Sequence, residues 1–561
     1  MTKKKPNQFL DLLLQKGFAL HQSDKLDEAK TIYQQILSIE PNHFNALQLL
    51  GSLLLKTEYF LQALDCLNRA LKIKPDFPNA YSNRGIILSK LKRFDEALAN
   101  FDKAISIKSD YLEAISNRGA TLIELKRFDE ALTSFDKANS IKPNDIDIIS
   151  NRGIIFNQLG QFNEALASFD KVINIKPDYP NAHSNKGITL SKLKRFDEAL
   201  ASFDKAISIK PDHLDALTNR GFTLTKLKRF DEAFTDYHKT ISINANYAYA
   251  HNNLAFLNLL KGNYTVGWKQ NEWRWKVNNA ERKFKQPLWL GEQSLDNKTI
   301  LLYAEQGLGD TIQFSRYVPL VSELGAKIIL EIPRALVNLF KNIEGVTQIV
   351  PKGQSLPFFD YQCPLLSLPL AFKTELNNIP PPTNLNFKKD NDKILQWQNR
   401  LGKKSNPLIG LVWSSISNYQ NDYLRSMTLE ELLKGLPQKG FDYICLQKEI
   451  KEIDQKTLNN NPQIKFFGKH INDFSDDAHL LECVDLVIST CTSIPHLSSS
   501  LGKETWWLLS YVPDWRWLLD RNDSPWYPTA KLYRQEKIGD WTNVLQQIKF
   551  NLEKKFEVKN I

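Results

Sequence analysis

A helical-repeat solenoid followed by a pair of α/β lobes is the fold class this sequence predicts, and three observations predict it. Small residues recur every 34 positions, as Gly17, Gly51, Gly85, Gly119, Gly153, Gly187, Gly221 and Ala255. A second set in the same register, Ala29, Ala63, Ala97, Ala131, Ala165, Ala199 and Ala233, is followed four positions on by a bulky side chain: Tyr33, Leu67, Phe101, Phe135, Phe169, Phe203 and Tyr237. From about residue 298 the pattern changes to short apolar runs bounded by turns and alternating with helical periods, the signature of parallel strands covered by helices.

Each repeat reads as two helices. The small residue lets the first helix approach its neighbours closely, and the alanine and the bulky residue lie inside the second. Pro41, Pro75, Pro143, Pro177 and Pro211 stop that second helix, with Ser109 and Ala245 as exceptions. Acids open it, as Asp95-Glu96 and Asp197-Glu198 do, where the helix dipole favours negative charge. This period and pattern resemble the tetratricopeptide repeat family over residues 8–262, as seven full units and a partial eighth.

Six asparagines keep the same register: Asn83, Asn117, Asn151, Asn185, Asn219 and Asn253, each two residues before the small position. An amide side chain offers one carbonyl acceptor and two N–H donors, so such a row can hold an extended peptide by its backbone. The alternative is that each amide satisfies local backbone groups, and Gln15 and Leu49 break the row in the first two repeats. The repeats are also similar to those of O-linked N-acetylglucosamine transferases, whose superhelix carries an asparagine ladder that clamps acceptor polypeptides. By that resemblance the six asparagines are peptide-binding residues. At about 1 kcal/mol net per hydrogen bond, a few engaged amides give weak, sequence-tolerant capture.

The composition bounds the remaining function classes. A chain of 561 residues has room for several domains, and the formal charge of +10 is carried largely by lysines on solvated helix faces. No nucleic-acid motif accompanies that charge, though it suits an acidic ligand such as a nucleotide diphosphate. Cys66, Cys363, Cys445, Cys483 and Cys491 have neither metal-ligand spacing nor a disulfide framework, which points to a reducing compartment. The basic start, Met1-Thr2-Lys3-Lys4-Lys5, runs into Asp11, Gln15 and Lys16, and so reads as neither signal peptide nor membrane span. A cytoplasmic protein is expected.

After the repeats, residues 263–297 read as a capping helix and linker. The helix, from Gly262-Asn263-Tyr264 through Trp268 to Trp273-Arg274-Trp275, is aromatic enough to shield the solenoid end and dock it to the next domain. A first lobe spans 298–385, with strands at Ile300–Ala304, Lys327–Glu331 and Val346–Val350. Pro380-Pro381-Pro382 marks a break, and 386–405 is the interlobe connection. The second lobe, 406–561, has strands at Leu408–Trp413, Tyr443–Leu446, Leu486–Ser489 and Thr505–Leu509, and ends in a helix.

Two turns carry candidate chemistry. Gly307-Leu308-Gly309-Asp310 lies between a strand and a helix, where Gly307 and Gly309 permit a tight turn and close ligand approach. It lacks the third glycine of the dinucleotide fingerprint, which argues against hydride transfer, and Asp310 reads either as a helix cap or as a functional carboxylate. In the second lobe, Ser489-Thr490-Cys491-Thr492-Ser493-Ile494-Pro495-His496 joins a strand to a helix start. Thr492 and Ser493 offer hydroxyls beside free helix N–H groups, and His496 lies within reach of the same anion. Arg425 follows the first strand of that lobe and reads either as a diphosphate clamp or as a salt-bridge partner. Gln447 lies past a strand end, where open α/β sheets bind ligands, unless it is a solvated loop residue.

These segments resemble the heptosyltransferase-like GT-B glycosyltransferases, whose members place Gly-Asp at the first-lobe turn and Asp-Thr-Ser/Gly-x-x-His in the second. Pro513-Asp514-Trp515-Arg516-Trp517 and Ser524-Pro525-Trp526-Tyr527-Pro528 resemble the end of bacterial tetratricopeptide proteins fused to this domain. The resemblance covers residues 298–545 and implies two Rossmann-type lobes in a GT-B arrangement. It makes Asp310 the catalytic base and Thr492, Ser493 and His496 the donor-diphosphate contacts. Gly307, Gly309, Arg425 and Gln447 complete the donor-binding set. Cys491 stands where the family usually carries aspartate.

The expected function is transfer of a sugar from a nucleotide-sugar co-substrate to Ser or Thr of a captured protein, with neither cofactor nor metal. By the resemblance, flagellin or another surface protein is a candidate acceptor. Two alternatives stay open: a scaffold whose transferase-like domain is degenerate, and a transferase acting on a lipid-linked or polysaccharide acceptor.

Overall fold

The computed structural model describes residues 8–277, 282–382, 387, 389–415 and 422–557. Part of the 263–297 cap and linker and part of the 386–405 connection lie outside the described residues. The chain forms two compact units, residues 1–220 and 221–561. The boundary falls inside the repeat array, within the Leu214–Lys226 helix, and not at residue 262 where the period fails.

In the first unit, helices of 13 and 14 residues alternate, as in Leu112–Glu124 and Phe128–Ile141. The second helices end at Ile141, Ile175 and Ile209, two residues before Pro143, Pro177 and Pro211. The glycines act by close approach: a Cβ on Gly119 would lie 2.6 Å from the Phe135 ring, and the same holds at Gly85 against Phe101. A fully buried aromatic ring thus fills the space the missing side chain leaves. The turn between the two helices of a repeat needs a left-handed residue, taken by Lys92, Lys126 and Lys194 with φ of 59°, 58° and 61° and by Gly160 with φ of 76°.

The second unit opens with the remaining repeat helices, Phe230–Ile243 and Ala248–Leu260. The aromatic segment after them is two helices, Tyr264–Asn271 and Arg274–Val277, where a single capping helix was expected. Trp268 is buried and donates its indole N–H to the Thr374 carbonyl at 2.9 Å, and Trp526 donates to the Tyr264 hydroxyl at 3.0 Å. These rings, with Phe314, Tyr317 and Trp515, form one core with the first lobe.

The first lobe has a parallel sheet of β1 (Thr299–Tyr303), β2 (Lys327–Ile332), β3 (Val346–Pro351) and β4 (Tyr361–Pro364), in the order β3-β2-β1-β4. The second has β5 (Leu408–Val412), β6 (Asp442–Cys445), β7 (Ile464–Phe466), β8 (Leu486–Thr490), β9 (Thr505–Leu509) and β10 (Ala530–Arg534), in the order β10-β9-β8-β5-β6-β7, again all parallel. Strands β4, β7 and β10 were absent from the sequence reading, as was a helix, Asn391–Leu401, within the interlobe connection. Strand order reverses between β1 and β4 in one sheet and between β5 and β8 in the other. Open α/β sheets bind ligands beyond the strand ends at such reversals.

Candidate functional site

Both sequence-predicted turns leave strands at these reversal points. Gly307–Asp310 follows β1, and Cys491–Ser493 follows β8. The helices they open, Leu308–Phe314 and Ser493–Ser500, pack against each other, and the tightest contact is Gly309 on His496. A Cβ at Gly309 would lie 2.7 Å from the His496 ring, so the close approach this glycine permits is to the histidine and not to a ligand.

Asp310 holds its own helix start. One carboxylate oxygen accepts the Gly307 N–H at 2.9 Å, and the other accepts from Arg516. The helix N-terminus is thus capped from within the chain, and the anion site expected at Gly307 is filled by Asp310 itself. Arg516 also donates to Asp514 at 2.9 Å and to Gln313. One guanidinium between two carboxylates leaves a net negative charge. Burial raises the Asp310 pKa above its usual range, against the pull of Arg516 and with Asp514 adding to the rise. Its side chain keeps 21 % of its surface exposed, and it lines neither of the cavities beside the β8 turn.

His496 is buried, with Nδ1 2.9 Å from the Tyr527 hydroxyl and its ring among Trp507 and Trp517. Burial, reinforced by Arg516, Arg316 and Arg425, holds its pKa well below the usual range, so the imidazole is neutral. It sits at the lobe junction and lines neither of the cavities beside the β8 turn.

Those two cavities flank the turn between Cys491 and Thr492. The first, about 320 Å³, lies past the ends of β5, β6 and β8 and is lined by Gln447, Thr492, Ser493, Ser414, Lys448 and Asp477 among polar groups. Gln447 is 6 % exposed, and so is not a solvated loop residue. Its Oε1 accepts the N–H groups of Trp413 at 2.8 Å and Ser414 at 3.2 Å, fixing the exit from β5. Thr492 is the N-cap of the Ser493–Ser500 helix but makes no capping bond, and its hydroxyl has no partner among the described residues. Thr492 lines the cavity, but its unsatisfied hydroxyl is sealed from solvent and would meet an anion at this helix N-terminus only on rotating toward it.

The second cavity, about 300 Å³, is lined by Asn252, Asn253, Lys226, Arg425, Cys491 and Asp514 among polar groups. Arg425 is on a short helix, Asp422–Arg425, not a loop, and its Nε donates to Asp422 at 3.2 Å. It therefore stands on the other side of the turn from Gln447, Thr492 and Ser493. Burial pushes the Cys491 thiol up to about 11, so it is protonated here. Asn253, the last of the periodic asparagines, reaches this same cavity.

Family profiles described as tetratricopeptide repeat match residues 10–43, 78–111, 112–145, 180–213 and 213–245, and one described as TPR repeat matches 60–92 and 153–194. The first half of the chain is built of tetratricopeptide repeats. A curated relative, Protein FlbA of Caulobacter vibrioides, is 24% identical over 322 residues, which is 52% of this chain and 53% of that protein. The chain thus spans about half the length of the curated relative it matches. Among solved structures, YrrB, described as a TPR protein with an unusual peptide-binding site, is 24% identical over 33% of this chain and 95% of its own, with a TM-score of 0.28. A tetratricopeptide repeat protein from Parabacteroides merdae is 18% identical over 44% of this chain and 96% of its own, with a TM-score of 0.38.

Tetratricopeptide repeats bind peptides or proteins, and the register asparagines of the first unit share one kind of environment. Asn83, Asn117, Asn151, Asn185 and Asn219 are all half-buried on first helices. The amides of Asn83, Asn117, Asn151 and Asn185 make no side-chain hydrogen bond among the described residues, whereas Asn219 donates to the Asp215 carbonyl at 2.8 Å. The cation following the asparagine is already paired in several repeats: Arg118 with Asp102, Arg152 with Asp136 and Lys186 with Asp170, at 2.6, 2.8 and 2.7 Å. The amides of Asn83, Asn117, Asn151 and Asn185 are therefore the polar groups of the row that the described residues leave unengaged. No helix among the described residues is long and apolar enough to cross a membrane.

Sequence reasoning gave no role to Asp477, Asp514, Arg516 or Tyr527. A signal for Asp477 was present, since it falls on the apolar face set by Phe474, Ala478 and Leu481. Arg516 gave none, because its partner Asp310 is 206 residues away.

Proposed function

We propose that this chain is a glycosyltransferase of GT-B type that moves a sugar from a nucleotide-sugar donor to a Ser or Thr hydroxyl of a protein captured by the repeats. The observation that carries the reading is the pair of cavities on either side of the Cys491–Thr492 turn. One has the unsatisfied Thr492 hydroxyl and the free start of the Ser493–Ser500 helix, which suit a diphosphate. The other has Asn252, Asn253, Arg425 and Asp514, which suit a polypeptide. The last asparagine of the repeat register and the turn after β8 meet in that second cavity.

In this reading the acceptor hydroxyl loses its proton to Asp310, whose raised pKa makes it a stronger base than an ordinary carboxylate. The hydroxyl oxygen attacks the anomeric carbon, the bond to the nucleotide diphosphate breaks, and the departing charge is taken up by Thr492, Ser493 and the helix N–H groups. His496, neutral and buried, braces the Gly309 turn and so positions Asp310. A flagellin-like surface protein remains the candidate acceptor by resemblance. A second reading, a non-catalytic scaffold, draws support from Asp310, both of whose oxygens are engaged, and from the thiol at Cys491. Intact-mass measurement of candidate acceptors co-expressed with the full chain separates the two. A sugar-sized increment supports transfer, and an unchanged mass with retained acceptor binding supports the scaffold.

A further inference from the structure

Three neighbouring acids lie at the start of the Phe474–Glu482 helix, and two have evident structural tasks. Asp473 caps the helix through the Ser475 N–H at 2.8 Å and accepts from Asn338 at 2.6 Å. Asp476 accepts the backbone and side-chain N–H groups of Asn472, both at 2.9 Å. Asp477 does neither. It is 5 % exposed, makes no hydrogen bond among the described residues, and lines the cavity that holds Gln447, Thr492 and Ser493. The charged groups around it are Lys448, Asp473 and Asp476, of which only Lys448 attracts it. Burial raises its pKa well above the carboxylate range. A buried carboxyl without a partner costs stability, and a leucine in its place would complete the face of Phe474, Ala478 and Leu481.

The rest of the cavity shows what such a carboxyl would meet. Leu308, Val412, Leu446, Ile471 and Phe474 give it apolar walls, and its roughly 320 Å³ suits a nucleoside diphosphate. Thr492 and the helix start supply the anion-binding end. A flat, apolar group carrying hydrogen-bond donors is the remaining part of such a ligand.

We infer that Asp477 is a specificity-determining residue for the nucleoside part of the donor, accepting a hydrogen bond from a ribose hydroxyl or a base N–H inside this cavity. The inference rests on the nucleotide reading above. Phosphate contacts alone hold every nucleotide equally, so a carboxyl at the other end of the ligand supplies discrimination. A site built to hydrogen-bond a donor group rejects analogues that lack it, because its own polar atom is then left unpaired.

The test is calorimetric titration of the full chain with UDP, GDP, CDP, ADP, a 2′-deoxy analogue of whichever binds best, and inorganic pyrophosphate. The unaltered protein should prefer one nucleoside diphosphate. Asp477→Asn, whose amide places an N–H where one carboxyl oxygen stood, should weaken that nucleotide about tenfold or more and leave pyrophosphate unchanged. Discrimination lost across bases assigns the base N–H as the contact, and discrimination lost between ribose and deoxyribose assigns the hydroxyl. Asp477→Leu, which should melt no lower than the unaltered protein, serves as the folded second variant. Nucleotide affinities within about threefold in both variants overturn the inference alone. Failure of every nucleotide to bind the unaltered protein overturns the nucleotide reading and the inference with it.

Discussion

The two compact units hold their polar groups in opposite ways. In residues 1–220 one set of ion pairs is local and wet: Arg93–Glu96, Arg127–Glu130 and Arg195–Glu198 join residues three apart, with about half of each side chain exposed. Such pairs contribute little individually. In residues 221–561 two buried arginines each join a carboxylate two residues away to one distant in sequence. Arg274 is 8 % exposed and serves both Glu272 and Glu305, and Arg516 is 7 % exposed and serves both Asp310 and Asp514. Each arginine faces two carboxylates, and burial raises the pKa of one in each cluster, Glu305 to about 7 and Asp310 above its usual range. The repeats are a framework that presents amides at low cost, whereas the α/β half keeps expensive buried charge where chemistry is proposed.

If that contrast is functional, the largest effect of any single change belongs to Asp310. Asp310→Asn keeps an acceptor oxygen for only one of Gly307 and Arg516 and removes the base, and transfer should fall by about 10²- to 10⁴-fold while nucleotide binding persists. A loss of only a few-fold in a transfer assay would reduce Asp310 to a helix cap. The pH profile adds a sign. Because the folded-state pKa of Asp310 is raised, the base becomes protonated, and transfer is lost, as pH falls through a value above the ordinary 3.8. In the same window the folded protein holds more protons than the unfolded chain, so this group's contribution to stability declines as pH rises. Asp310→Asn should remove that slope from a series of melts across pH.

The contrast also explains what could be read in the chain. The repeats are legible because their contacts recur at fixed short separations, as in Gly119 with Phe135. Among strands, β5, β8 and β9 are buried along their whole length and read as continuous apolar runs. The overlooked strands β4, β7 and β10 are all sheet edges, where Gln362, Lys465 and Lys531 interrupt the apolar pattern. Thr492 and Ser493 were legible because a strand, a turn and a helix start follow one another in sequence. The split between two cavities was not, since it depends on which side of one turn Arg425 and Gln447 arrive.

The next effect tests the wet half. Asn117, Asn151 and Asn185 changed together to alanine should weaken acceptor binding by about 10- to 100-fold, from about 1 kcal/mol per lost hydrogen bond, with helicity and melting unchanged. Undiminished capture of the acceptor by a folded triple variant would return the asparagines to a local role.

A smaller loss is expected inside the repeat core. Gly119→Ala places a methyl 2.6 Å from the Phe135 ring, an overpacking cost of about 1–3 kcal/mol that outweighs the roughly 1 kcal/mol gained in helix propensity. Ala255 is tolerated at the equivalent position because the residue sixteen on is Asn271 and not an aromatic ring. Gly119→Ala combined with Phe135→Leu should therefore recover much of the loss in a denaturant melt. Equal melts for the single and double variants would show that ring and methyl do not compete.

The smallest effect concerns the turn between the helices of one repeat, and it has the opposite sign. Lys126 has φ of 58°, a conformation that costs a residue with a Cβ about 1 kcal/mol. Its side chain is exposed, and the equivalent position is glycine at Gly160 with φ of 76°. Lys126→Gly removes the steric cost but adds backbone entropy to the unfolded chain, so the net gain should be no more than about 0.5 kcal/mol. It should appear as a higher melting transition of the repeat unit with acceptor and nucleotide binding unchanged. A lower transition would mean that the lysine stem covers apolar surface worth more than the strain, and the turn would then belong to the packing of the repeat rather than to its backbone alone.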